Sequence, residues 1–350
     1  MKKTLRYTIL LLLSITLFNC GGGDDDTSAN SDDRPFITTW LTTTDNENIR
    51  IPIDSRYTYS YTVNWGDGTT DNNLTDHARH TYEMPGTYTV EISGTFPAIR
   101  FSGGGTNSTP DKLRTIEQWG GIEWESMIDA FEGCRFLTYT ATDAPNLSNV
   151  TNMSSMFSFA WEFNGDLSSW DTSNVTNMSA MFAHARAFNG DISTWDTSNV
   201  DDMGLMFTSA WAFNGNLSNW DVSNVTVIAS MFSGASVFNG DLSNWDVGNV
   251  IQLQSMFAGA SAFNGDLSNW NVGSVTIMDD VFKGASIFNA DLSNWDVSNV
   301  EDMRNTFENA TVFNQNLSGW NTSNVIRCED FALGSALTSA NLPTQGCFGL

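Results

Sequence analysis

The chain has 350 residues, with 40 acidic against 15 basic side chains and a formal net charge of −25. That length admits two or three domains, and a hydrophobic fraction of 41% admits a substantial core. So acidic a surface repels nucleic acid and anionic lipid headgroups and counts against nucleic acid as a partner, while cations such as Ca²⁺ stay admissible.

Residues 1–20 read as an export signal. Lys2, Lys3 and Arg6 form a basic start, and the apolar run Ile9 to Phe18 is too short for a permanent span. The tetrapeptide LFNC places Cys20 where a lipoprotein signal is cut and acylated. It resembles the lipobox of bacterial lipoproteins, although Asn19 stands where Gly or Ala is usual. Secretion with Cys20 unmodified is the alternative. Residues 21–35, beginning GGGDDDTSANSDD, form a Gly, Ser and Asp tether that cannot pack. The tether resembles the acidic leader of surface lipoproteins of Bacteroidota. The expected location is therefore the cell envelope, as a surface-exposed outer-membrane lipoprotein anchored through Cys20.

Residues 36–101 are strand-like. IRIPI, YTYSYTVNW and GTYTVEISG are rich in β-branched and aromatic residues, and WGDGT (Trp65 to Thr69) is a turn signal. WGDGT and HTYEMPGTYTVEI (His80 to Ile92) resemble the polycystic-kidney-disease (PKD) domain, which implies a small immunoglobulin-like β-sandwich. Residues 102–112, including SGGGTNSTPD, read as a linker.

From residue 113 to 350 the chain repeats. Trp170, Trp195, Trp220, Trp245, Trp270, Trp295 and Trp320 recur every 25 residues. Phe157, Phe182, Phe207, Phe232, Phe257, Phe282 and Phe307 keep the same interval, as does the Val series from Val150 to Val325. A strict period in this range signals a solenoid or array whose units bury their apolar faces against one another. In one unit, LSNWDV (Leu217 to Val222) alternates as a short strand does. Val225, Ile228, Met231, Phe232 and Ala235 then share a helical face, with Ser223, Asn224 and Thr226 as cap residues. Gly234 and FNG (Phe238 to Gly240) mark the return. The fold expected is a right-handed, leucine-rich-repeat-like solenoid with one short parallel strand and one short helix per turn, and irregular caps at both ends. The unit resembles the BspA-type leucine-rich-repeat surface proteins of Bacteroidota and mycoplasmas. That resemblance implies a surface-displayed leucine-rich solenoid with adhesion or binding suspected and no enzymatic activity attached.

In this register Cys134 replaces a small inward Ala, and Cys328 replaces an inward Met or Ile. A Cys328–Cys347 bridge is the candidate closure of the C-terminal cap. The recurrent Trp and Phe side chains are expected in the core, and exposed aromatics are sought where units vary, at Phe159, Trp161 and Trp211.

Chemistry is sparse. The chain has three His. His80 lies inside the PKD-like motif and reads as structural, His77 and His80 lack a third metal ligand, and His184 falls at a position elsewhere held by Gly or Ser. No nucleophile elbow, zinc-protease or phosphate-loop pattern occurs. Two acidic ladders remain: Asp166, Asp191, Asp241, Asp266 and Asp291, and Asp171, Asp196, Asp221, Asp246 and Asp296. A file of Ca²⁺ would relieve their mutual repulsion. However, Asn216 and Asn316 complete the first ladder and Asn271 and Asn321 the second, which favours turn capping over calcium. No cofactor is implied. The function expected is non-catalytic binding or adhesion to an extracellular protein or glycan, with Asp171, Asp196, Asp221, Asp246 and Asp296 on the candidate binding face. The alternative is glycan capture, as an accessory to polysaccharide degradation, through the PKD-like segment.

Overall fold

The computed structural model describes residues 32–101 and 109–349. The signal segment with Cys20, most of the tether, and residues 102–108 of the linker lie outside the described residues.

The strands are β1 (Phe36–Thr42), β2 (Glu47–Ile51), β3 (Ser60–Asn64), β4 (Thr70–Leu74), β5 (Ala78–Tyr82), β6 (Gly86–Thr95), β7 (Leu113–Gln118) and β8 (Thr138–Tyr139). They build a six-stranded sheet in the order β4-β3-β6-β1-β7-β8 and a two-stranded sheet β2-β5. Alternation drives the burial: Tyr61 and Val63 of β3 and Val90 and Ile92 of β6 point inward. The β1 strand pairs antiparallel with both β6 and β7, and β8 joins β7 in parallel. One mixed sheet thus runs from the N-terminal segment into the residues that open the repeats. The buried side chains of both parts form one cluster, in which Phe36 packs on Trp119 and Trp124 at 5.4 and 5.2 Å.

The expected solenoid of one strand and one helix per turn, preceded by a separate sandwich, is overturned. The described residues contain no α-helix, and LSNWDV is not a strand. Residues 217–222 instead make a turn closed by Trp220 N to Leu217 O at 3.1 Å. Adjacent units meet at single parallel bridges further on, as at Asp202, Val227, Gln252 and Ile277.

The reason lies in where the backbone N–H groups go. Met231, Ser233 and Ala235 donate to residues three back, namely Ile228, Ser230 and Phe232. Ser230, Phe232 and Gly234, which alternate with them, donate to Gln254, Met256 and Ala258 of the next unit at 2.9, 2.9 and 2.6 Å. An α-helix would bind every interior N–H within its own segment and leave none for the neighbour. The alternating pattern needs left-handed backbone at two positions per unit, and Ser230 and Gly234 have φ of 57° and 69°. Positive φ is incompatible with helix interior and suits Gly, which stands at Gly234, Gly259 and Gly284. The apolar spacing of three and one that mimics a helical face is the spacing of successive tight turns.

Side chains stack in register. Phe182, Phe207, Phe232 and Phe257 lie 5.7 to 5.8 Å apart, with Phe238 against Phe232 at 3.9 Å. Trp195, Trp220, Trp245 and Trp270 are all 3% exposed. Each indole N–H reaches back to the preceding unit, as Trp245 Nε1 donates to Leu217 O at 3.1 Å. Trp therefore fills the interior and satisfies a buried carbonyl that Leu would leave to another donor. Trp170, Trp295 and Trp320 and Phe282 are buried likewise. Cys134 is a buried free thiol, and a disulfide joins Cys328 to Cys347. Beside it Phe348 packs on Phe331 at 4.8 Å, and Cys347 N donates to Val325 O. The C-terminal segment thereby covers the last unit.

Removing one ring from the middle of the stack opens a cavity flanked on both sides. Phe232→Ala should cost about 3–5 kcal/mol, read from the urea midpoint. An unchanged midpoint would contradict an interior position for the ring.

Candidate binding surface

The acidic ladder proposed as a binding face is exposed along the stack, with Asp171, Asp196, Asp221, Asp246 and Asp296 all at the surface. Each side chain is half committed. Oδ1 accepts the backbone N–H two residues on, as in Ser173 to Asp171 (3.1 Å), Ser198 to Asp196 (3.0 Å), Ser223 to Asp221 (2.9 Å), Gly248 to Asp246 (3.1 Å) and Ser298 to Asp296 (3.0 Å). Asn271 and Asn321 accept from Gly273 and Ser323 in the same way. The turn needs the oxygen and not the charge, so Asp and Asn interchange. The second ladder works identically, with Ser193 N to Asp191 at 2.9 Å and Ser218 N to Asn216 at 3.1 Å. Hydrogen bonds from Ser173, Ser223 and Ser298 hold the Asp171, Asp221 and Asp296 carboxyls below the usual carboxylate range. Those from Ser193, Ser243, Ser268 and Ser293 do the same for Asp191, Asp241, Asp266 and Asp291. Among the described residues, no group of three or more His, Cys, Asp or Glu side chains is placed to hold a metal ion.

Asparagine forms two further ladders. Asn224 and Asn249 donate through Nδ2 to Ser198 O and Ser223 O at 2.7 Å. Asn214 Oδ1 accepts from Asn239 N and Asn239 Oδ1 from Asn264 N, at 2.8 and 2.9 Å. These side chains tie one unit to the next.

The N-terminal histidines do not meet. His77 Nδ1 accepts Ile53 N at 2.9 Å, and burial together with the Arg50 charge lowers its pKa. His80 stacks on Trp65 at 4.8 Å and bonds through Nε2 to Asp67 Oδ2 at 2.7 Å. Burial raises the Asp67 carboxyl, but hydrogen bonds from Thr69 and His80 outweigh it and hold the pKa at about 2. Trp65 Nε1 donates to Asp71 at 2.9 Å, and Tyr82 OH donates to Trp65 O at 2.8 Å. WGDGT and HTY thus close on each other as one turn lock.

The first units carry a second surface. Phe159 and Trp211 are 43% and 49% exposed, and Trp161 is partly exposed. Between the two tryptophans, in the same register, lies Arg186, its guanidinium carbon 4.3 Å from the Trp161 ring centre and 4.5 Å from that of Trp211. Arg135 covers the other side of Trp161 at 5.1 Å and also pairs with Asp111. Arg114 stands over Phe136 at 4.7 Å. His184 is stacked on Phe159 at 4.3 Å, and burial, with the nearby Arg186 charge, lowers its pKa. The sequence reading singled out Phe159, Trp161 and Trp211 but passed over Arg135 and Arg186. The signal was there: Arg186 stands one repeat after Trp161 and one before Trp211.

These features define a repeat protein whose 25-residue units share one hydrogen-bonded, aromatic-filled core and differ at the surface. The chain belongs to the family described as "Mycoplasma protein of unknown function, DUF285", whose model matches residues 125–245 and 228–343. No curated protein and no solved structure matches the chain.

The lowered carboxyls give a signed pH dependence. Unfolded Asp titrates near about 3.9. A carboxyl held lower in the fold contributes stability that is complete above that value and lost as pH falls through the folded one. The urea midpoint should hold from pH 7 to 5 and drop below about pH 4. Replacing Asp171, Asp191, Asp221, Asp241, Asp266, Asp291 and Asp296 by Asn should keep the fold and reduce that drop, with the remainder left to groups such as Asp67. An equally steep drop in the variant would assign it to other groups.

Proposed function

We propose that the chain is a non-catalytic binding protein displayed at the cell surface, held through lipid on Cys20, with the repeat stack as its contact surface for an extracellular partner. The observation that carries this reading is the division of labour within each unit. Trp, Phe, Met and Val are used inside, and the outward positions repeat Asp, Ser and Asn with one carboxylate oxygen of each Asp left uncommitted by the turn. A row of such acceptors at constant pitch suits a large, extended partner better than a small substrate. The family match is compatible with a surface-associated repeat protein. The export signal and acidic tether support the location.

Asn substitution tests the face without disturbing the fold, because Asn271 and Asn321 already occupy the same turns. The joint variant Asp171→Asn, Asp196→Asn, Asp221→Asn, Asp246→Asn and Asp296→Asn should retain its melting temperature near neutral pH. Adhesion of cells displaying it to matrix proteins and partner cells should fall at least ten-fold. Brief protease treatment of intact cells should release the repeats. Protected repeats would reject surface display, and undiminished adhesion would reject this face.

A further inference from the structure

The aromatic and cationic ladder of the first units is not needed by the stack. Later units place Ser236, Ser261, Ser286 and Thr311 at the register of Trp161, Arg186 and Trp211, with the same turns beneath. Large amphipathic side chains at exposed, structurally replaceable positions call for another reason.

Arg186 is the centre of this ladder. Its side chain makes no hydrogen bond or ion pair among the described residues, and its Nε is buried without an acceptor. The adjacent Trp161 Nε1 is likewise buried without one. In a chain of 40 acidic and 15 basic residues, carboxylate partners are plentiful, and Arg304, Arg135 and Arg100 have each found one. Arg50 and Arg114 share the buried Nε without an acceptor, but Arg186 alone of the three lies between two indoles. Indoles on both sides hold the Arg186 plane in place, which preorganises its donor fork for a planar oxyanion and lowers the entropy lost on binding. Trp211 adds an exposed apolar ring, and the next unit presents only Ser236 there. A ligand that satisfies both groups joins a carboxylate to an apolar ring face.

We propose that Trp161, Arg186 and Trp211, with Phe159 and His184 at their flank, form a docking strip for an acidic polysaccharide built from uronic acid residues. The carboxylate of one sugar takes the Arg186 fork, and the ring face of a neighbouring sugar lies on Trp211. Groups set at the constant pitch of the stack match a polymer that is itself periodic. The net charge of the chain does not forbid such a ligand. At physiological ionic strength fields fade over about 8 Å, so Arg186 and its neighbours decide the local sign more than the distant Asp ladders do. Glu162 is exposed beside Trp161, and Asp111, paired with Arg135, and Glu132 line the pocket at the Phe159 and Trp161 end, so the Arg186–Trp211 end is the one that takes the carboxylate.

The proposal rests on the reading of the chain as a binding protein and names a separate face for it. Titration calorimetry of the full chain with hexamers of galacturonate, glucuronate and mannuronate tests it, with the methyl ester of each as the uncharged control. At least one acid should bind, and its methyl ester should bind at least ten-fold more weakly. Arg186→Ala and Trp211→Ala should each weaken the acid at least ten-fold at an unchanged melting temperature, and Asp221→Asn should leave it unaltered. No binding by any acid, equal binding of acid and ester, or full binding by both variants would overturn the strip. The ester comparison uses the unaltered chain, so it decides even where a variant unfolds. Adhesion that persists through the Asp ladder while every hexamer fails rejects the strip alone. Failure of both removes the binding reading itself.

Discussion

Everything in the repeat region follows from one constraint on the backbone: alternate N–H groups belong to the unit's own turns, and those between them belong to the next unit. Ser230, Phe232 and Gly234 donate forward, while Met231, Ser233 and Ala235 donate backward within their own turns. A unit that hands half of its donors to a neighbour has no stable isolated form, since buried donors without acceptors are costly. The terminal units must therefore be finished by something else. At the start this is the mixed sheet, in which β8 pairs with β7 and Tyr139 OH accepts Trp119 Nε1 at 2.9 Å. At the end it is the segment drawn over the last unit by the Cys328–Cys347 disulfide, with Thr322 donating to Gln345 O.

The same constraint separates positions that can vary from those that cannot. An inward ring touches the rings above and below, so a change at Phe232 is felt by Phe207 and Phe257. Outward residues have lighter duties: Asn224 and Asn239 tie one unit to the next, and the ladder Asp and Asn residues cap turns. Asp and Asn perform that duty equally well, and Ser or Gly serves two residues on. Surface chemistry can thus change at the Asp register, where the turn needs an acceptor oxygen and not a charge.

The period, the inward rings and the role of Asn in place of Asp were all readable from the letters, because each depends on register alone. Trp220 recurs in step with Trp195 and Trp245, and a residue that must stack on its own copy has to recur. The local conformation was not readable. Val225, Ile228, Met231, Phe232 and Ala235 have helical spacing, and tight turns at three-residue intervals reproduce it. Only the run of Gly234, Gly259 and Gly284 at one register betrays the left-handed backbone, and Ser209, His184 and Phe159 at the same register in earlier units obscure it. The joining of the N-terminal strands to the repeats was hidden for a different reason. Residues 102–112 look like a linker, and nothing local in Leu113–Gln118 reveals that β1 is its partner.

Departure from period then becomes the most informative property of the chain. Where every unit agrees, the residue serves the stack, and where units disagree the stack is indifferent. Arg186 between Trp161 and Trp211 is such a disagreement, confined to the units nearest the mixed sheet. Phe159 and His184 are another, and they hold φ of 57° and 59° at a register where Gly is the comfortable choice. Bulky residues in left-handed backbone are unfavourable relative to Gly. Since the fold accepts Gly234, Gly259 and Gly284 at the same register, it does not itself require the ring pair. Its neighbour across the surface is the one arginine held between two indoles. Two departures, each unneeded by the stack and both at the same end of it, mark the first units as the part of the surface that the repeat does not dictate.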